Sequence, residues 1–466
     1  MLISVQNILG GQLSAIGGQH LEIELPLSKS ESNRALMILH YAKSQSLRDA
    51  ETQSVMSDSD DTVLLQKHLN TLNKYLQGSL SVDGCPLTLE LDCHNAGTVF
   101  RFLMTAVANL QFTIDDKQNF ENLNNSASQH LSILLTGSER MKSRPISSLV
   151  DALRSLGVVI EYKGREGYPP ILVRGGRIEG GRVEVSAEQS SQFASSLLLA
   201  APLWKNGLEL HLTGNLSSLP YIDMTIDMMR QCGIDVLRNE RDITVKPGRY
   251  NIENIKVEPD WSAAAFWYEM ASFSDNAEIL LKNLNINSLQ ADAAAIKMFE
   301  SLGVETISVE KDNRQQTTDN SNSAVGCQLS VQRSAFSVQR SAFNFKDCPD
   351  LFPAVIAACA GNGVDATFTG LKNLSIKESD RKHAMMNELS KIGISFEDVS
   401  DDELKMFCSE KLPYFSEENP IIFNNYDDHR IAMALSLLSM KIGTISMENA
   451  GVVSKSYPDF FKVINQ

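Results

Sequence analysis

Amphipathic stretches of helical period alternate along this chain with β-branched runs, and the junction between them recurs in one form. In Leu153-Arg154-Ser155-Leu156-Gly157-Val158-Val159-Ile160 a helical pattern ends in Gly and a strand pattern follows. The same order returns at Met229-Arg230-Gln231-Cys232-Gly233-Ile234-Asp235-Val236, at Phe299-Glu300-Ser301-Leu302-Gly303-Val304 and at Leu389-Ser390-Lys391-Ile392-Gly393-Ile394. Gly immediately past a helix supplies the left-handed backbone that turns the chain into a strand. These glycines are roughly 70 to 90 residues apart, longer than a solenoid repeat, so each junction predicts a sizeable α/β unit. Any α/β protein contains such junctions, and the pattern alone leaves internal repetition open.

The strongly apolar helical stretches are entered through small, hydroxyl or charged residues. Ser28-Lys29-Ser30-Glu31-Ser32-Asn33-Arg34 precedes Ala35-Leu36-Met37-Ile38-Leu39, and Asn95-Ala96-Gly97-Thr98 leads into a helix carrying Arg101. Ser190-Ser191-Gln192 opens Phe193-Ala194-Ser195-Ser196-Leu197-Leu198-Leu199. Further on, Asp350 follows Cys348-Pro349 ahead of a helix beginning near Leu351, and Lys377-Glu378-Ser379-Asp380-Arg381 and Asp427-Asp428-His429-Arg430 stand before two more. Lys455 lies in Val453-Ser454-Lys455-Ser456-Tyr457-Pro458-Asp459-Phe460. Cations at a helix start oppose the helix dipole, an arrangement that makes sense where an anion fills the space between. Gly97 is expected to let a ligand approach the backbone closely. Ser and Asn are also ordinary caps, and charges at helix starts are usually just solvated, so each segment alone carries little.

Length and charge narrow the possibilities. A chain of 466 residues is too long for one comfortable core, so two domains are expected. Apolar residues at 43% and charged residues at 21% place it among globular proteins. No apolar run reaches the roughly 18 residues of a membrane helix, and Met1-Leu2-Ile3-Ser4-Val5-Gln6 lacks the basic start of a signal peptide, so a cytosolic protein is expected. Seven scattered cysteines without CxxC or zinc-type spacing favour reduced thiols over disulfides or a metal site. A net charge of −15 disfavours a nucleic-acid face, so an anionic ligand needs a local cluster of cations. The polar stretch Asp312 to Ser323 predicts a loop, and Ser330-Val331-Gln332-Arg333-Ser334-Ala335-Phe336 is repeated verbatim as Ser337 to Phe343. Tandem duplications are tolerated best in surface excursions, so residues 312–343 are expected to be a surface insertion without catalytic duty, and Ser337 to Phe343 to be dispensable.

Taken in order, the segments resemble the 5-enolpyruvylshikimate-3-phosphate synthases of the enolpyruvyl transferase family. The resemblance rests on Leu25-Pro26-Leu27-Ser28-Lys29-Ser30 with Asn33-Arg34, on Asn95-Ala96-Gly97-Thr98 with Arg101, and on Leu135-Thr136-Gly137-Ser138-Glu139-Arg140-Met141-Lys142-Ser143-Arg144-Pro145-Ile146. It continues through Ser190-Ser191-Gln192-Phe193, Ser218-Leu219-Pro220-Tyr221-Ile222-Asp223, Lys377 to Arg381, Asp428-His429-Arg430 and the Lys455 segment, nearly the whole chain. Leu27 departs from the family's usual Gly, and Phe102 from its common Pro on the helix expected to line the phosphoenolpyruvate pocket, which bears on pocket width and on sensitivity to glyphosate.

The resemblance implies an α/β fold of two domains, each of three βαβαββ units, with an interdomain cleft. Residues 1–25 and 258–466 would form one domain and 26–257 the other, with the return crossing near Val257 to Ser262. It implies transfer of the enolpyruvyl (carboxyvinyl) group of phosphoenolpyruvate to the 5-hydroxyl of shikimate-3-phosphate, with release of phosphate and with no metal or cofactor. That step lies in the shikimate pathway to chorismate and the aromatic amino acids, and a cytoplasmic monomer without nucleic-acid or membrane partners is expected. Lys29, Ser30, Arg34, Ser190, Ser191, Gln192, Ser218, Tyr221, Asp350, Asn373 and Lys377 would hold shikimate-3-phosphate. Lys29, Gly97, Arg140, Gln192, Arg381, Arg430 and Lys455 would hold phosphoenolpyruvate. Asp350 is the expected base, with Glu378 and Lys29 as proton donors or relays. The rival readings are the cell-wall transferase acting on UDP-N-acetylglucosamine, against which Ser28-Lys29-Ser30 and Ser190-Ser191-Gln192 stand, and a catalytically inactive binding paralogue. A nucleotide kinase is disfavoured because no G-x-x-x-x-G-K-[ST] loop occurs.

Overall fold

The computed structural model describes residues 2–5, 20–45, 56–76, 88–115, 132–175, 178–188, 190–253, 255–309, 326–332 and 340–464. The chain divides into two compact units. Unit 1 comprises Met1–Ser28, Asp58–Asp60 and Glu258–Gln466; unit 2 comprises Lys29–Ser57 and Asp61–Val257. No helix among the described residues is long and apolar enough to cross a membrane.

The chain starts in unit 1 with β1 (Leu2–Val5) and β2 (His20–Ile23). It passes through α1 (Lys29–Gln45) and α2 (Asp60–Leu76), then builds two copies of one βαβαββ arrangement in unit 2. The first copy is β3 (Thr88–Asp92), α3 (Gly97–Asp115), β4 (Ser132–Thr136), the single turn α4 (Glu139–Lys142), α5 (Ser147–Ser155), β5 (Val159–Tyr162) and β6 (Ile171–Gly175). The second is β7 (Gly181–Ser186), α6 (Ser191–Ala200), β8 (Leu208–Thr213), α7 (Leu219–Gln231), β9 (Val236–Asn239) and β10 (Asp242–Val245). Their strand orders, β3-β4-β6-β5 and β7-β8-β10-β9, are the same. In each the first two strands pair parallel and the rest antiparallel.

Unit 1 repeats the design. α8 (Trp261–Phe273), β11 (Asn276–Lys282), α9 (Ala295–Glu300), β12 (Glu305–Val309) and β13 (Gly326–Gln332) join β2 in the order β12-β13-β11-β2. The first strand of this copy is separated from the others along the chain by all of unit 2. β14 (Arg340–Asn344), α10 (Phe352–Asn362), β15 (Asp365–Thr369), α11 (Arg381–Ser390), β16 (Ser395–Ser400) and β17 (Glu403–Phe407) give the order β14-β15-β17-β16. β18 (Ile421–Phe423), α12 (His429–Leu437) and β19 (Ile445–Glu448) complete the unit, with β1 antiparallel against β19.

The recurring glycine occupies the same place in each four-stranded copy, between the second helix and the third strand. Gly157, Gly233, Gly303 and Gly393 have φ of 93°, 82°, 89° and 88°. The next residue then donates back to the carbonyl five positions earlier: Val158 to Leu153 at 3.0 Å, Ile234 to Met229 at 3.1 Å, Val304 to Phe299 at 3.0 Å and Ile394 to Leu389 at 3.3 Å. That closes the helix in a Schellman turn, a geometry that favours Gly at the left-handed position.

The segments that leave and re-enter unit 1 are tied together. Ser28 N–H donates to Glu258 O at 2.8 Å, Asp260 N–H to Pro26 O at 2.9 Å, and Leu27 bridges Pro259 antiparallel. Asp260 then caps α8 by accepting from Ser262 N at 2.7 Å and Ala263 N at 3.2 Å. α8 and α10 pack together at the centre of unit 1, buried on nearly every face, which accounts for sequences with almost no polar stripe.

The expected insertion needs correction. Residues 310–325 and 333–339 lie outside the described residues, but the two ends of the duplicated stretch are strands. Ser330-Val331-Gln332 ends β13, where Cys327, Leu329 and Val331 are buried between β11 and β12. Arg340 to Phe343 begins β14, paired with β15, and Phe343 is 5% exposed in the core. Val331 in the first copy and Phe343 at the end of the second are the buried residues of these strand ends.

Candidate functional site

In unit 1 the starts of α10, α11 and α12 converge on one carboxylate. Asp350 stands in the 3₁₀ turn Pro349–Leu351, and the N-cap position of α10 belongs to Leu351, so Asp350 is not the cap. Its oxygens accept from Arg381 Nη1 at 2.7 Å and Arg430 Nη2 at 3.0 Å, with Lys377 Nζ 3.3 Å away. Arg381, 1% exposed, also donates from Nε to Asp428 Oδ2 at 2.8 Å and from Nη2 to Glu378 Oε2 at 2.9 Å. Asp428 both caps α12, accepting from Arg430 N at 3.0 Å, and accepts the Ser379 hydroxyl at 3.0 Å. Lys455 Nζ lies 3.6 Å from Glu378 Oε1. Asn373 sits in the 3₁₀ turn Lys372–Ile376 that leads into Lys377.

Burial pushes the Asp350 carboxyl up, but Arg430, Lys377 and Arg381 outweigh it and hold it well below the ordinary carboxylate range. Burial likewise works against Arg381, and Asp428, Glu378 and Asp350 reverse it, raising its pKa further. Both groups are therefore charged at neutral pH. An anion entering this cluster competes with Asp350 and Glu378 for the same N–H donors. Arg430 Nε is buried and finds no hydrogen-bond partner among the described residues.

In unit 2 the first turns of α3 and α6 are joined by Gln192. Its Nε2 donates to Thr98 Oγ1 at 2.7 Å and its Oε1 accepts from Arg101 Nη1 at 3.2 Å. Ser190 caps α6 by accepting from Gln192 N at 3.2 Å, and Ser191 is the first residue of that helix. The Gly97 Cα is not open to a ligand as expected, because the guanidinium ends of Arg101 and Arg144 occupy the space where a Cβ would stand. Arg144 belongs to the motif Arg140-Met141-Lys142-Ser143-Arg144, in which only Arg140, half-buried in α4, was predicted. The buried second arginine is the one packed against the glycine. A Pro after Arg144 and its spacing from α4 were the only signals, and neither reports burial.

Arg34 is largely spent inside unit 2. Its Nε donates to Thr225 Oγ1 at 2.7 Å, Nη1 to Ser30 O at 2.8 Å, and Nη2 to Tyr221 O at 3.0 Å and Ser195 Oγ at 3.4 Å. Of five guanidinium hydrogens one remains. Burial lowers its pKa to about 10, still charged at neutral pH. Phe102 is 0% exposed and packs beneath this guanidinium, 5.8 Å from ring centre to Cζ, so it is a core residue rather than a pocket wall. Lys29 Nζ lies 3.3 Å from Asp61. Ser218 holds a left-handed backbone, φ 55°, at the start of α7, just before Tyr221.

Gly97→Ala is expected to cost at most about 1–3 kcal/mol of overpacking, because the displaced atoms are ends of flexible side chains that can be redirected. A thermal melt measures this, and a larger loss would show that the two guanidiniums are held in place.

Residues 14–464 match the family described as EPSP synthase (3-phosphoshikimate 1-carboxyvinyltransferase). Over 450 residues the chain is 34% identical to a 3-phosphoshikimate 1-carboxyvinyltransferase of Bacteroides fragilis, covering 96% of this chain and 95% of that one. It is 30% identical over 464 residues to the protein of that name in Methanoculleus marisnigri, covering 97% and 98%. The fold is similar to that of the EPSP synthase of Acinetobacter baumannii, with a TM-score of 0.64 at 21% identity over 96% of this chain and 95% of that chain. It is similar also to that of the enolpyruvyl transferase NikO of Streptomyces tendae, with a TM-score of 0.63 at 12% identity over 99% and 96%.

Proposed function

Because the chain belongs to the EPSP synthase family, it is a transferase of the shikimate pathway that moves the carboxyvinyl group of phosphoenolpyruvate to shikimate-3-phosphate, and we propose that Asp350 is its catalytic base. The observation that carries the assignment is the Asp350 carboxylate, kept ionised by Arg381, Arg430 and Lys377 and not used as a helix cap. Asp350 takes the proton of the shikimate 5-hydroxyl as that oxygen attacks the enol carbon of phosphoenolpyruvate. Glu378 or Lys29 delivers a proton to the methylene carbon. Phosphate then leaves as that same group, now deprotonated, takes a proton back from the resulting methyl group, which regenerates the vinyl group. Lys29, Arg140, Gln192, Arg381, Arg430 and Lys455 serve phosphoenolpyruvate, whose carboxylate and phosphate need forked or point cations, while Gly97 leaves room for the guanidiniums of Arg101 and Arg144.

Shikimate-3-phosphate is assigned Lys29, Ser30, Ser190, Ser191, Gln192, Ser218, Tyr221, Asp350, Asn373 and Lys377, with Arg34 contributing one remaining N–H while tying α1 to α7. Prepositioned cations offset the repulsion between two anionic substrates and fix their approach. The enzyme works as a monomer in the cytoplasm.

Replacing Ser190 and Ser191 together with Ala is expected to weaken shikimate-3-phosphate binding by about 2–4 kcal/mol, since each hydrogen bond to a charged group contributes roughly 1.5–3. Calorimetry reads this directly, and unchanged affinity would move the phosphate elsewhere. Phosphate release from phosphoenolpyruvate, assayed with shikimate-3-phosphate and then with UDP-N-acetylglucosamine, checks the acceptor.

A further inference from the structure

We propose that the tip of the β16–β17 hairpin braces the segment from Leu371 to Arg381, and that Asp402 and Lys382 are positioning residues for the reaction. The inference rests on the reading of Asn373 and Lys377 as shikimate-3-phosphate contacts and of Arg381 as a phosphoenolpyruvate contact, all carried by this segment.

The start of the segment is tied to the turn between the two strands. Lys372 N donates to Asp402 Oδ1 at 3.2 Å, and Leu371 N to Asp402 O at 3.4 Å. Asp402 N in turn donates to Ser400 Oγ at 3.3 Å, which fixes the shape of the turn. The 3₁₀ turn that holds Asn373 and leads into Lys377 begins at Lys372, so its origin is set by Asp402.

The end of the segment is tied to the same hairpin. Lys382, the second residue of α11, is 4% exposed, and a lysine this buried needs its charge paired. Its Nζ donates to Asp398 Oδ1 and, at 2.6 Å, to Ser400 O. The strand register shifts between Asp398 and Ser400, and this irregularity lies where the side chain of one and the carbonyl of the other meet one ammonium. His383 adds a second link, with Nδ1 3.0 Å from Asp380 Oδ2, the α11 cap, and Nε2 3.5 Å from Asp398 Oδ2. Arg381 binds Asp350, Glu378 and Asp428, and Lys382, next in the chain, binds the hairpin, so the first turn of α11 is held from two directions.

Unit 2 repeats the arrangement with the charges reversed. In the β9–β10 turn Arg241 O accepts from Leu212 N at 2.8 Å, and Arg241 Nη1 donates to Leu212 O at 3.1 Å and Gly214 O at 2.9 Å. Asp223 of α7 pairs with Arg238 of β9 at 2.7 Å. The segment held there carries Ser218 and Tyr221. Neither hairpin needs these contacts to pair its own strands, and both spend them on a segment assigned to shikimate-3-phosphate.

Asp402→Ala, at an exposed turn, is expected to raise KM for shikimate-3-phosphate about three- to tenfold, the scale of one hydrogen bond, with KM for phosphoenolpyruvate changed by less than about twofold. Lys382→Met is expected to raise KM for phosphoenolpyruvate about 10- to 100-fold, the scale on which misplacing a substrate-positioning group acts. KM is independent of the fraction of protein folded, so a merely structural role lowers the melting temperature and leaves both KM values alone. Wild-type KM for both substrates in the two variants overturns the proposal, and Asp402→Ala decides it if Lys382→Met does not fold. Asn373→Ala run in parallel separates the two levels. If it raises KM for shikimate-3-phosphate while Asp402→Ala does not, only the brace falls; if it leaves KM unchanged, the assignment of Asn373 falls and takes the brace with it.

Discussion

Asp350→Asn is expected to lower the single-turnover rate by about 10²- to 10⁴-fold, the usual scale of general-base catalysis, while shikimate-3-phosphate binding falls far less. Asn keeps the shape and can accept one of the bonds from Arg381 or Arg430, but it takes no proton at neutral pH. A helix-cap role predicts almost no effect, because Asn caps as well as Asp; Leu351 already fills the cap position, so that role is not available. Stability carries a pH signature. The folded carboxyl of Asp350 titrates below its unfolded value, so its contribution is present above the ordinary carboxylate range and is lost as pH falls through the folded value. The stability difference between wild type and Asp350→Asn should therefore narrow on acidification below about pH 4. Near-normal chemistry in the variant would remove Asp350 from the mechanism and leave Glu378 as the candidate.

Phe343→Ala is expected to destabilise the protein by about 3–5 kcal/mol, the range for deleting a buried aromatic ring. Phe343 stacks on Phe368, its partner in the β14–β15 ladder, with centroids 5.9 Å apart and planes 16° apart. Phe368 meets Phe352 edge-on at 5.8 Å, and Phe352 opens α10 two residues after Asp350. The last residue of the duplicated stretch thus packs into the core beneath the proposed base. Removing either copy of the repeat yields the same chain, in which Gln332 of β13 would run directly into Arg340 of β14. Those strands lie in different sheets, so that deletion leaves no residues to make the crossing. Urea unfolding of Phe343→Ala measures the loss, and a cost below about 1 kcal/mol would restore the view of this segment as dispensable.

Local chemistry made part of this protein legible in its sequence. A Gly that ends a helix in the left-handed region depends only on its immediate neighbours, so the junctions at Gly157, Gly233, Gly303 and Gly393 could be read directly. The same holds for the helix starts at Lys29, Gly97, Ser191, Arg381 and His429, where a cap or a dipole is a property of one turn. The clustering of Asp350, Glu378, Arg381, Arg430 and Lys455 became readable only through the whole set of motifs, since no single one implies the others.

What tertiary structure decided are the properties that depend on segments far apart in the chain. How many of a guanidinium's donors are taken up is settled by what packs around it: Arg34 is taken up by Thr225, Tyr221 and Ser195 on α6 and α7, while Arg430 Nε finds no hydrogen-bond partner among the described residues. The space at Gly97 goes to Arg144, more than forty residues away, and Phe102 turns into the core beneath Arg34. Arg340 to Phe343 is a strand because β15, beyond α10, offers the pairing edge. A sequence names the groups and the turns; burial, pairing and electrostatic field are sums over distant neighbours, and those neighbours are chosen only when the chain has folded.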